Sequence, residues 1–353
     1  MDFRPKIIID PRAFAHNLMI ARQSAPNSLI MAVIKANAYG HGLIVAAEAL
    51  KQADAFAVAR IGEAVTLRKA GFQQKIVVLE GANNTFEVNQ AVQYQLILVL
   101  HQIEQLYLIK KPLPIWLKVD TGMHRLGFSP NNITRALQIC LENANLQLQG
   151  VLTHLANADD PQDSTSDQQI ALFDQLISAD LTASIANSAG ILAWKQSHRD
   201  WNRAGIMLYG ANPLIHQQQN FNLKPVMTFK SRIIAIQDYQ QGDKIGYGGH
   251  YQCQQATQIA TIAVGYGDGY PRHAKNGTPI LIRQQYCPLV GRVSMDMIMV
   301  DISLLKSVNI GESVILWGAG LPVELIAHAS NTISYDLFCG ITERVIRENH
   351  DND

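Results

Sequence analysis

The chain has 353 residues, 48% of them hydrophobic, which suffices for two domains or for one barrel with an addition. Its 29 basic residues balance 29 acidic ones without a basic block, which gives no support for nucleic-acid or membrane-surface binding. No apolar run approaches ~20 residues, so we predict a cytoplasmic protein without a signal peptide or membrane span. The cysteines lack paired spacing, which argues against a disulfide framework or a zinc site; they are Cys140, Cys253, Cys287 and Cys339.

The first part of the chain alternates short β-branched runs with helical stretches such as GLIVAAEALKQ, after an amphipathic helix near Pro11 to Gln23. This order is typical of an α/β fold with a parallel (β/α)8 TIM-like barrel, which we expect in residues 1–220. Eight strands are predicted, at Leu29 to Ile34, Ala55 to Ala59, Ile76 to Leu79, Leu96 to Leu100, Ile115 to Val119, Leu148 to Thr153, Ala183 to Ala186 and Asp200 to Asn202.

The pattern changes at about Phe221. Runs such as VMTFKSRIIAI, QIATIAV, PILI and MIMVDI follow one another, with almost no helix before Val323 to Ala329. This predicts a mostly antiparallel β domain in residues 221–353, joined to the barrel by the polar segment HQQQNFN.

Barrel enzymes carry their chemistry on the loops that follow the strands, so polar residues at those positions are candidates. In the predicted barrel they converge on one mouth. At the end of, or after, the first, fifth, sixth, seventh and eighth strands they are Lys35 and Tyr39; Lys118, Asp120 and Arg125; His154 and Asn157; Asn187 and Ser188; and Arg203 and Gly205.

Each candidate taken alone has an ordinary structural explanation. A lysine at a strand end usually extends to solvent, and His154 alone is typical of a hydrogen-bonded core histidine. Asn187 with Ser188 suits a helix N-cap, and Arg125 could pair with Asp120 on the surface at little gain in stability. Their convergence favours a functional site.

The small residues of NSAG and RAGIMLYG indicate a ligand type. They lie where a strand passes into a helix and expose backbone N–H groups that suit a phosphate, although neither segment is a P-loop or a dinucleotide fingerprint. A lysine on the same face adds an amine nucleophile toward an aldehyde. Together they suggest pyridoxal 5′-phosphate bound to Lys35 as a Schiff base.

At these residues the chain resembles the alanine racemases. The resemblance runs through almost the whole chain in the family's order and implies a pyridoxal-phosphate enzyme that interconverts L-alanine and D-alanine. The motifs that carry it are VIKANAYGHG, LKVDTGMHRLGF, THLANAD, NSAG, RAGIMLYG, IGYGGHY, VGYGDGYPR, GRVSMDM and TISYD.

The resemblance implies that Lys35 forms the aldimine with the cofactor. It places Arg203 at the pyridine nitrogen, where an arginine cannot accept a proton and so weakens the cofactor as an electron sink. A weaker sink suppresses side reactions. The phosphate ligands that it implies are Tyr39, Ser188, Tyr335 and the backbone N–H groups of Gly205 and Ile206.

Racemisation needs an acid/base group on each face of Cα, and the resemblance assigns these roles to Lys35 and Tyr247. His154 and Arg203, which are linked to the tyrosine in the family's active site, would help a phenol to act as a base. The family brings the barrel of one subunit and the β domain of another together in a head-to-tail homodimer. The resemblance therefore implies composite active sites.

Arg125 is implied as the ligand of the substrate carboxylate, aided by the backbone N–H of Met295. Lys118 corresponds to a lysine that is carbamylated in relatives and orients this arginine. The entrance would be narrowed to little more than a methyl group by Tyr266, Tyr335 and Met295, with Asp296 beside them.

Three alternatives remain open at this stage. The same fold serves decarboxylases of basic amino acids and broad-specificity racemases, and a barrel alone would suffice for a pyridoxal-phosphate carrier. A decarboxylase needs a cysteine acid near the cofactor, and no matching motif surrounds Cys339. A carrier would need neither the carboxyl-terminal domain nor Tyr247. We therefore favour alanine racemisation, with D-alanine as a peptidoglycan precursor.

Overall fold

The computed structural model describes residues 2–215 and 221–349. The chain divides into two compact units, one of Phe14–Leu223 and one that combines Met1–Ala13 with Lys224–Asp353. The sequence places residues 1–220 in one domain, but the first thirteen residues belong to the β unit. The reason is strand β1, Lys6–Ile9, which pairs with two strands from the carboxyl-terminal part of the chain. Most of the predicted junction HQQQNFN lies outside the described residues.

The unit of Phe14–Leu223 is built on an eight-stranded parallel sheet, which confirms the predicted fold class. The two edge strands approach each other, and the N–H of Arg203 donates to the carbonyl of Ala186 at 2.9 Å between them. All eight predicted strands are present, and their ends differ from the predicted ones by at most two residues. In chain order, β2 to β9 are Leu29–Val33, Ala55–Val58, Lys75–Val78, Ile97–Leu100, Leu113–Lys118, Leu146–Leu152, Ala183–Ser184 and Trp201–Ala204.

Helices connect these strands, and their first residues follow ordinary capping chemistry. The Asn84 side chain accepts the N–H of Glu87 at 2.9 Å, and Pro130 opens another helix, where its missing N–H has no cost. Short 3₁₀ turns cover Lys195–Ser197 and Ile206–Tyr209. Helices α1 to α9 are Pro11–Ser24, Lys35–Tyr39, Leu43–Ala49, Ile61–Lys69, Thr85–Gln93, Ile103–Leu108, Pro130–Glu142, Thr165–Leu176 and Ser188–Ala193.

The other unit is mostly antiparallel, as predicted. Its longest strand, Met227–Tyr239, bends at a register shift between Ile233 and Ala235 and pairs with three other strands. Trp317, fully buried, packs against Phe229 and stacks on Tyr270 in the core. Strands β10 to β18 are Met227–Tyr239, Lys244–Ile245, Tyr251–Gln252, Thr257–Ile262, Pro279–Ile282, Gln285–Val290, Ile298–Asp301, Ser313–Trp317 and Ile346–Asn349; helices α10 and α11 are Val323–Ala329 and Ser334–Cys339.

Two further 3₁₀ turns, Tyr247–Gly249 and Tyr266–Asp268, lie on loops of this unit. Within residues 2–215 and 221–349, none of the helices combines the length and the apolar character needed to cross a bilayer.

Candidate active site

Lys35 directly follows the first barrel strand and opens a turn with an unusual backbone. The next four residues, Ala36 to Tyr39, have φ values of 53°, 52°, 52° and 48°, and Gly40 follows at 78°. A left-handed conformation costs roughly 1–2 kcal/mol for each residue that carries a Cβ. Four in succession persist only if neighbouring groups hold them. The turn connects two candidate side chains, Lys35 and Tyr39.

Hydrogen bonds hold this left-handed turn from several sides. The N–H of Ala36 donates to the Glu63 carboxylate at 2.6 Å, and the side-chain oxygen of Asn37 accepts the N–H of Leu43 at 2.8 Å. The His41 ring nitrogen Nδ1 lies 2.9 Å from the carbonyl oxygen of Tyr39. These contacts fix the backbone between the lysine and the helix that follows.

Aromatic side chains also pack against this turn. The Tyr209 hydroxyl donates to the carbonyl of Val33 at 2.9 Å, at the end of the strand that carries Lys35. Its ring packs edge-on against Tyr39 and Phe14, with centroids 4.6 and 5.3 Å away. Tyr209 and Tyr39 are almost completely buried, so the turn packs against aromatic side chains that are shielded from water.

Tyr39, Ser188 and Gly205 converge to form a small polar cradle. The Ser188 hydroxyl oxygen accepts the N–H of Gly205 at 2.8 Å and that of Met207 at 3.3 Å. A Cβ added to Gly205 would lie 3.0 Å from the Tyr39 hydroxyl and 3.7 Å from the Ser188 hydroxyl. The absence of a side chain at Gly205 therefore keeps open a space lined by the hydroxyl groups of Tyr39 and Ser188, the second of which accepts the two backbone N–H groups. Such a space suits a phosphate, and the 3₁₀ turn that opens with Ile206 begins beside it.

Arg203 lies buried beside this cradle and is held by neutral groups. Its guanidinium donates to the carbonyls of Thr153, Ser184 and Ile185 and to the hydroxyl of Ser184. Burial lowers its pKa to about 10. Among the described residues no carboxylate lies within ion-pair distance of it, so its charge remains available to the mouth.

His154 is a hydrogen-bond acceptor in this site. Burial, and then the charge of Arg203, hold its pKa well below the ordinary value of 6.5. Its Nδ1 lies 3.3 Å from the Arg203 guanidinium, which can only donate. The imidazole is therefore neutral at physiological pH, with its unprotonated nitrogen toward the arginine.

Lys118 and Arg125 add two further cations at the same mouth. Lys118 is 9% exposed, and burial followed by the charges of Arg203 and Arg125 lowers its pKa to about 8. Lys35 contributes in the same direction, whereas Asp120 opposes it. The mouth therefore concentrates positive charge, which attracts anionic groups.

Asp120 shapes the loop that carries Arg125. Its carboxylate accepts the N–H groups of Gly122, Met123 and His124 at 3.0 to 3.1 Å. Burial acts to raise the Asp120 pKa, but these hydrogen bonds outweigh it and the pKa is lowered. Its ion pair is with His124 at 3.3 Å, not with Arg125. The surface-pair explanation for Arg125 therefore does not apply, and the arginine stays exposed at the mouth.

The remaining predicted residues lie in the β unit. Tyr247 is 68% exposed and stands between Gly246 and Gly248, which have φ values of 71° and 70°. Met295 is 52% exposed, and its carbonyl accepts the N–H of Gly267 at 2.9 Å, so the Met295 loop adjoins the turn of Tyr266. Exposed aromatic and thioether groups of this kind are available to another molecule.

Asp296 takes part in an ion-pair network that the sequence did not indicate. Arg344 bonds to Asp296 at 2.6 Å and to the buried Asp268 at 3.3 Å, while Arg272 lies 5.7 Å over the Tyr266 ring. Asp268 and Arg272 lie in the quoted segment VGYGDGYPR and Asp296 in GRVSMDM, but Arg344, which joins the two carboxylates, lies in none of the quoted motifs. Tyr335 lies on helix α11 of the same unit.

The structure thus brings the barrel candidates together within one unit, and the β-unit candidates Tyr247, Tyr266, Met295 and Asp296 lie on loops of the other. Two supporting residues escaped the sequence reading. Glu63 and Arg344 contact residues that are distant in sequence, so the sequence does not reveal their roles. The only local indication is that Glu63 lies in the first turn of a helix, where a carboxylate can act as a cap.

Comparison with known proteins identifies the family of the chain. The family models for the amino- and carboxyl-terminal domains of alanine racemase match residues 9–213 and 226–349. An alanine racemase of Nitrosococcus oceani is 45% identical over 352 residues, 97% of this chain and 98% of that protein. One of Coxiella burnetii is 43% identical, with the same shares covered.

Solved structures give the same result. The biosynthetic alanine racemase of Pseudomonas aeruginosa is 37% identical with a TM-score of 0.95, over 99% of this chain and 100% of that one. The alanine racemase of Bartonella henselae, solved with covalently bound pyridoxal phosphate, is 29% identical with a TM-score of 0.89, over 98% and 99%. The two family models together match residues 9–213 and 226–349, and the chain therefore belongs to the alanine racemase family.

Proposed function

We propose that this protein is a pyridoxal-phosphate-dependent racemase that interconverts L-alanine and D-alanine. The observation that carries the proposal is the cationic barrel mouth, where Lys35 and Tyr39 project from one fixed turn next to the Ser188 and Gly205 cradle. Family membership supports the same activity.

The residues at the mouth fit this cofactor, and the family resemblance adds Tyr335 of the β unit. Tyr39, Ser188, Tyr335 and the backbone N–H groups of Gly205 and Ile206 would hold its phosphate. Arg203 would face its pyridine nitrogen. Once the substrate amino group has replaced Lys35 on it, the cofactor would supply a conjugated system that delocalises the negative charge left on Cα when a proton departs, and the displaced Lys35 amine would be free to carry that proton. Arg203, which cannot accept a proton, limits that delocalisation.

Two side chains of the chain move the proton. Lys35 Nζ would take or return the Cα proton on one face, and Tyr247 Oη on the other, so loss and return on opposite faces invert the centre. Because Tyr247 lies on an exposed loop of the β unit, we propose that it serves the barrel of a second subunit in a homodimer.

Arg125 would bind the substrate carboxylate, with the backbone N–H of Met295 as a second donor. Tyr266, Tyr335 and Met295 would leave space for little more than a methyl group, with Asp296 held beside them by Arg344. This pocket favours alanine over the long basic substrates of the decarboxylases and over larger amino acids.

We further propose that Lys118 is carbamylated. Carbamylation requires a neutral amine, and a pKa of about 8 leaves a substantial neutral fraction at physiological pH. A carbamate would also place a negative charge beside three neighbouring cationic side chains. Labelled bicarbonate should add a carbamate resonance to the wild-type protein that Lys118→Met does not show.

The test of the function is incubation of the purified protein with L-alanine while optical rotation is followed. We expect rotation to fall to zero as the enantiomers equilibrate, and no change with Lys35→Ala. Borohydride should fix the cofactor to the peptide that contains Lys35. A label on Lys118, release of carbon dioxide from lysine or ornithine, or cofactor binding without rotation change would contradict the proposal.

We also propose that the D-alanine formed is a peptidoglycan precursor made in the cytoplasm; the similar protein of Pseudomonas aeruginosa is described as a biosynthetic alanine racemase. Fractionation of cells should place the activity with the soluble proteins.

A further inference from the structure

Glu63 lies in the first turn of helix α4, and its carboxylate accepts three backbone N–H groups. Oε2 accepts from Ala59 at 2.9 Å and from Arg60 at 3.1 Å, which caps the start of the helix. Oε1 accepts from Ala36 at 2.6 Å, in a different loop of the barrel. One side chain therefore joins the start of α4 to the turn that follows Lys35.

Helix α6 shows what capping alone requires. There Gln105 occupies the same position, and its single amide oxygen accepts from His101 at 2.8 Å and from Gln102 at 3.2 Å. Its Nε2 donates to the carbonyl of Ala82. One oxygen suffices to cap a helix in this geometry. The second oxygen of Glu63 is thus not needed by α4, and it serves Ala36.

Ala36 is where such a contact has most effect. It is the first residue of the left-handed run and directly follows Lys35. Each residue of the run is unfavourable by itself, and the backbone hydrogen bonds within the turn, such as Gly40 N–H to the carbonyl of Ala36 at 3.0 Å, leave the N–H of Ala36 to be satisfied by Glu63. Lys35 and Tyr39 stand at its two ends, and any relaxation of the run would change their separation.

We propose that Glu63 is a positioning residue that holds the left-handed turn and thereby sets Lys35 and Tyr39 in the arrangement needed to bind the cofactor. The inference rests on the proposed function for its cofactor part. Its structural part, that the carboxylate holds the turn, stands on the contacts alone.

Glu63→Gln tests the Ala36 contact selectively. An amide keeps one oxygen for the cap, as Gln105 demonstrates, but turns an NH2 donor toward the N–H of Ala36. We expect amide hydrogen exchange in residues 34–42 to be about tenfold faster or more. We expect the affinity of the apoprotein for pyridoxal phosphate to fall about tenfold or more.

The matched control is Glu87→Gln. Glu87 is also a first-turn glutamate, and its Oε2 accepts the N–H of Asn83 at 2.7 Å at the start of α5. It has no hydrogen bond to the Lys35 turn among the described residues. We expect this variant to keep wild-type exchange in residues 34–42 and wild-type cofactor affinity.

A rescue separates positioning from a general loss of structure. Ala36→Gly removes the Cβ that makes positive φ unfavourable, so the turn depends less on its acceptor. Adding it to Glu63→Gln should recover part of the cofactor affinity. If the defect of Glu63→Gln came instead from a weakened cap of helix α4, adding Ala36→Gly would not recover the cofactor affinity.

Wild-type exchange and affinity in Glu63→Gln, as in the control, would overturn the inference. If Glu63→Gln does not fold, Glu63→Asp takes its place, because the shorter chain keeps the charge but cannot reach both loops; a folded Glu63→Asp with wild-type values also overturns it. If the wild-type protein binds no pyridoxal phosphate, the proposed function fails. Even then, faster hydrogen exchange in residues 34–42 of Glu63→Gln, but not of Glu87→Gln, would support the proposal that the Glu63 carboxylate holds the turn.

Discussion

At the scale of single residues, the two proposed acid/base groups have different surroundings. Lys35 follows a buried strand and is surrounded by the charges of the barrel mouth, whereas Tyr247 stands on an exposed loop of the β unit. Each would serve only one face of Cα. Removing one of them should therefore leave chemistry on the other face intact.

Replacing Tyr247 by Phe tests this division. Because the ring remains and Lys35 is untouched, we expect the cofactor spectrum to survive while racemisation falls by about two orders of magnitude or more in both directions. In deuterated water, one enantiomer should still exchange its α-proton faster than the other, through Lys35. Equal residual exchange from both enantiomers would contradict the two-base mechanism.

Lys118 gives a pH-dependent prediction for stability. Its pKa of about 8 lies below the ordinary 10.5, so the folded state binds fewer protons than the unfolded state between these pH values. The resulting cost, about 3 kcal/mol at most, is fully present below pH 8 and is relieved as the pH rises toward 10.5.

Lys118→Met removes this ionisation. In buffer free of carbon dioxide, we expect the variant to gain free energy of unfolding at pH 7 and to lose most of that gain at pH 10. Urea unfolding of both proteins at the two pH values measures the difference. A gain that is equal at both would show that Lys118 is not the group responsible.

At the scale of elements, the left-handed turn of Ala36 to Tyr39 is the feature on which the barrel site depends. The free-energy cost of the positive φ values arises within the turn itself. Hydrogen bonds of Glu63 and Asn37 and packing of the Tyr209 ring stabilise it. Such strain is often found where a backbone must present functional groups in a fixed arrangement.

Substitutions at Ala36, which is exposed, probe that strain without disturbing packing. Valine is β-branched and strongly disfavours positive φ, whereas glycine adopts it freely. We expect Ala36→Val to unfold about 1–2 kcal/mol more easily than Ala36→Gly and to retain less cofactor on dialysis. Urea unfolding and absorbance of the dialysed proteins measure both. Equal behaviour of the two variants would mean that the turn is not strained at Ala36.

At the scale of the whole molecule, the proposed homodimer predicts complementation between inactive chains. In a mixed dimer of Lys35→Ala and Tyr247→Phe, one composite site carries both lesions and the other carries neither. Random pairing makes half of the dimers mixed, and half of their sites are whole. We expect roughly a quarter of wild-type activity after subunit exchange.

The control is each mutant mixed with itself under the same conditions, with exchange verified by differently tagged chains. If exchange occurs and the activity stays at the level of the parents, both bases must come from one chain and the composite site is excluded.

The sequence by itself determined the two-part fold and most of the barrel mouth. The barrel strands are buried on both faces, so they stand out as short apolar runs, and even the short strands Ala183–Ser184 and Trp201–Ala204 were found. Because parallel strands end at a common mouth, position at or just after the end of a strand was enough to select Lys35, Lys118 and Arg203 as candidates.

Only the tertiary structure decided the contacts between distant segments. The pairing of Lys6–Ile9 with Met227–Tyr239, the Arg344 bond to Asp296 and the Glu63 bond to Ala36 join residues that no local pattern links. The left-handed turn was likewise decided only by the tertiary structure. Ala, Asn and Tyr have no intrinsic preference strong enough to predict four positive φ values in succession. Local propensity is weak compared with the packing and hydrogen bonds that a fold supplies, and these are set only when the chain is folded.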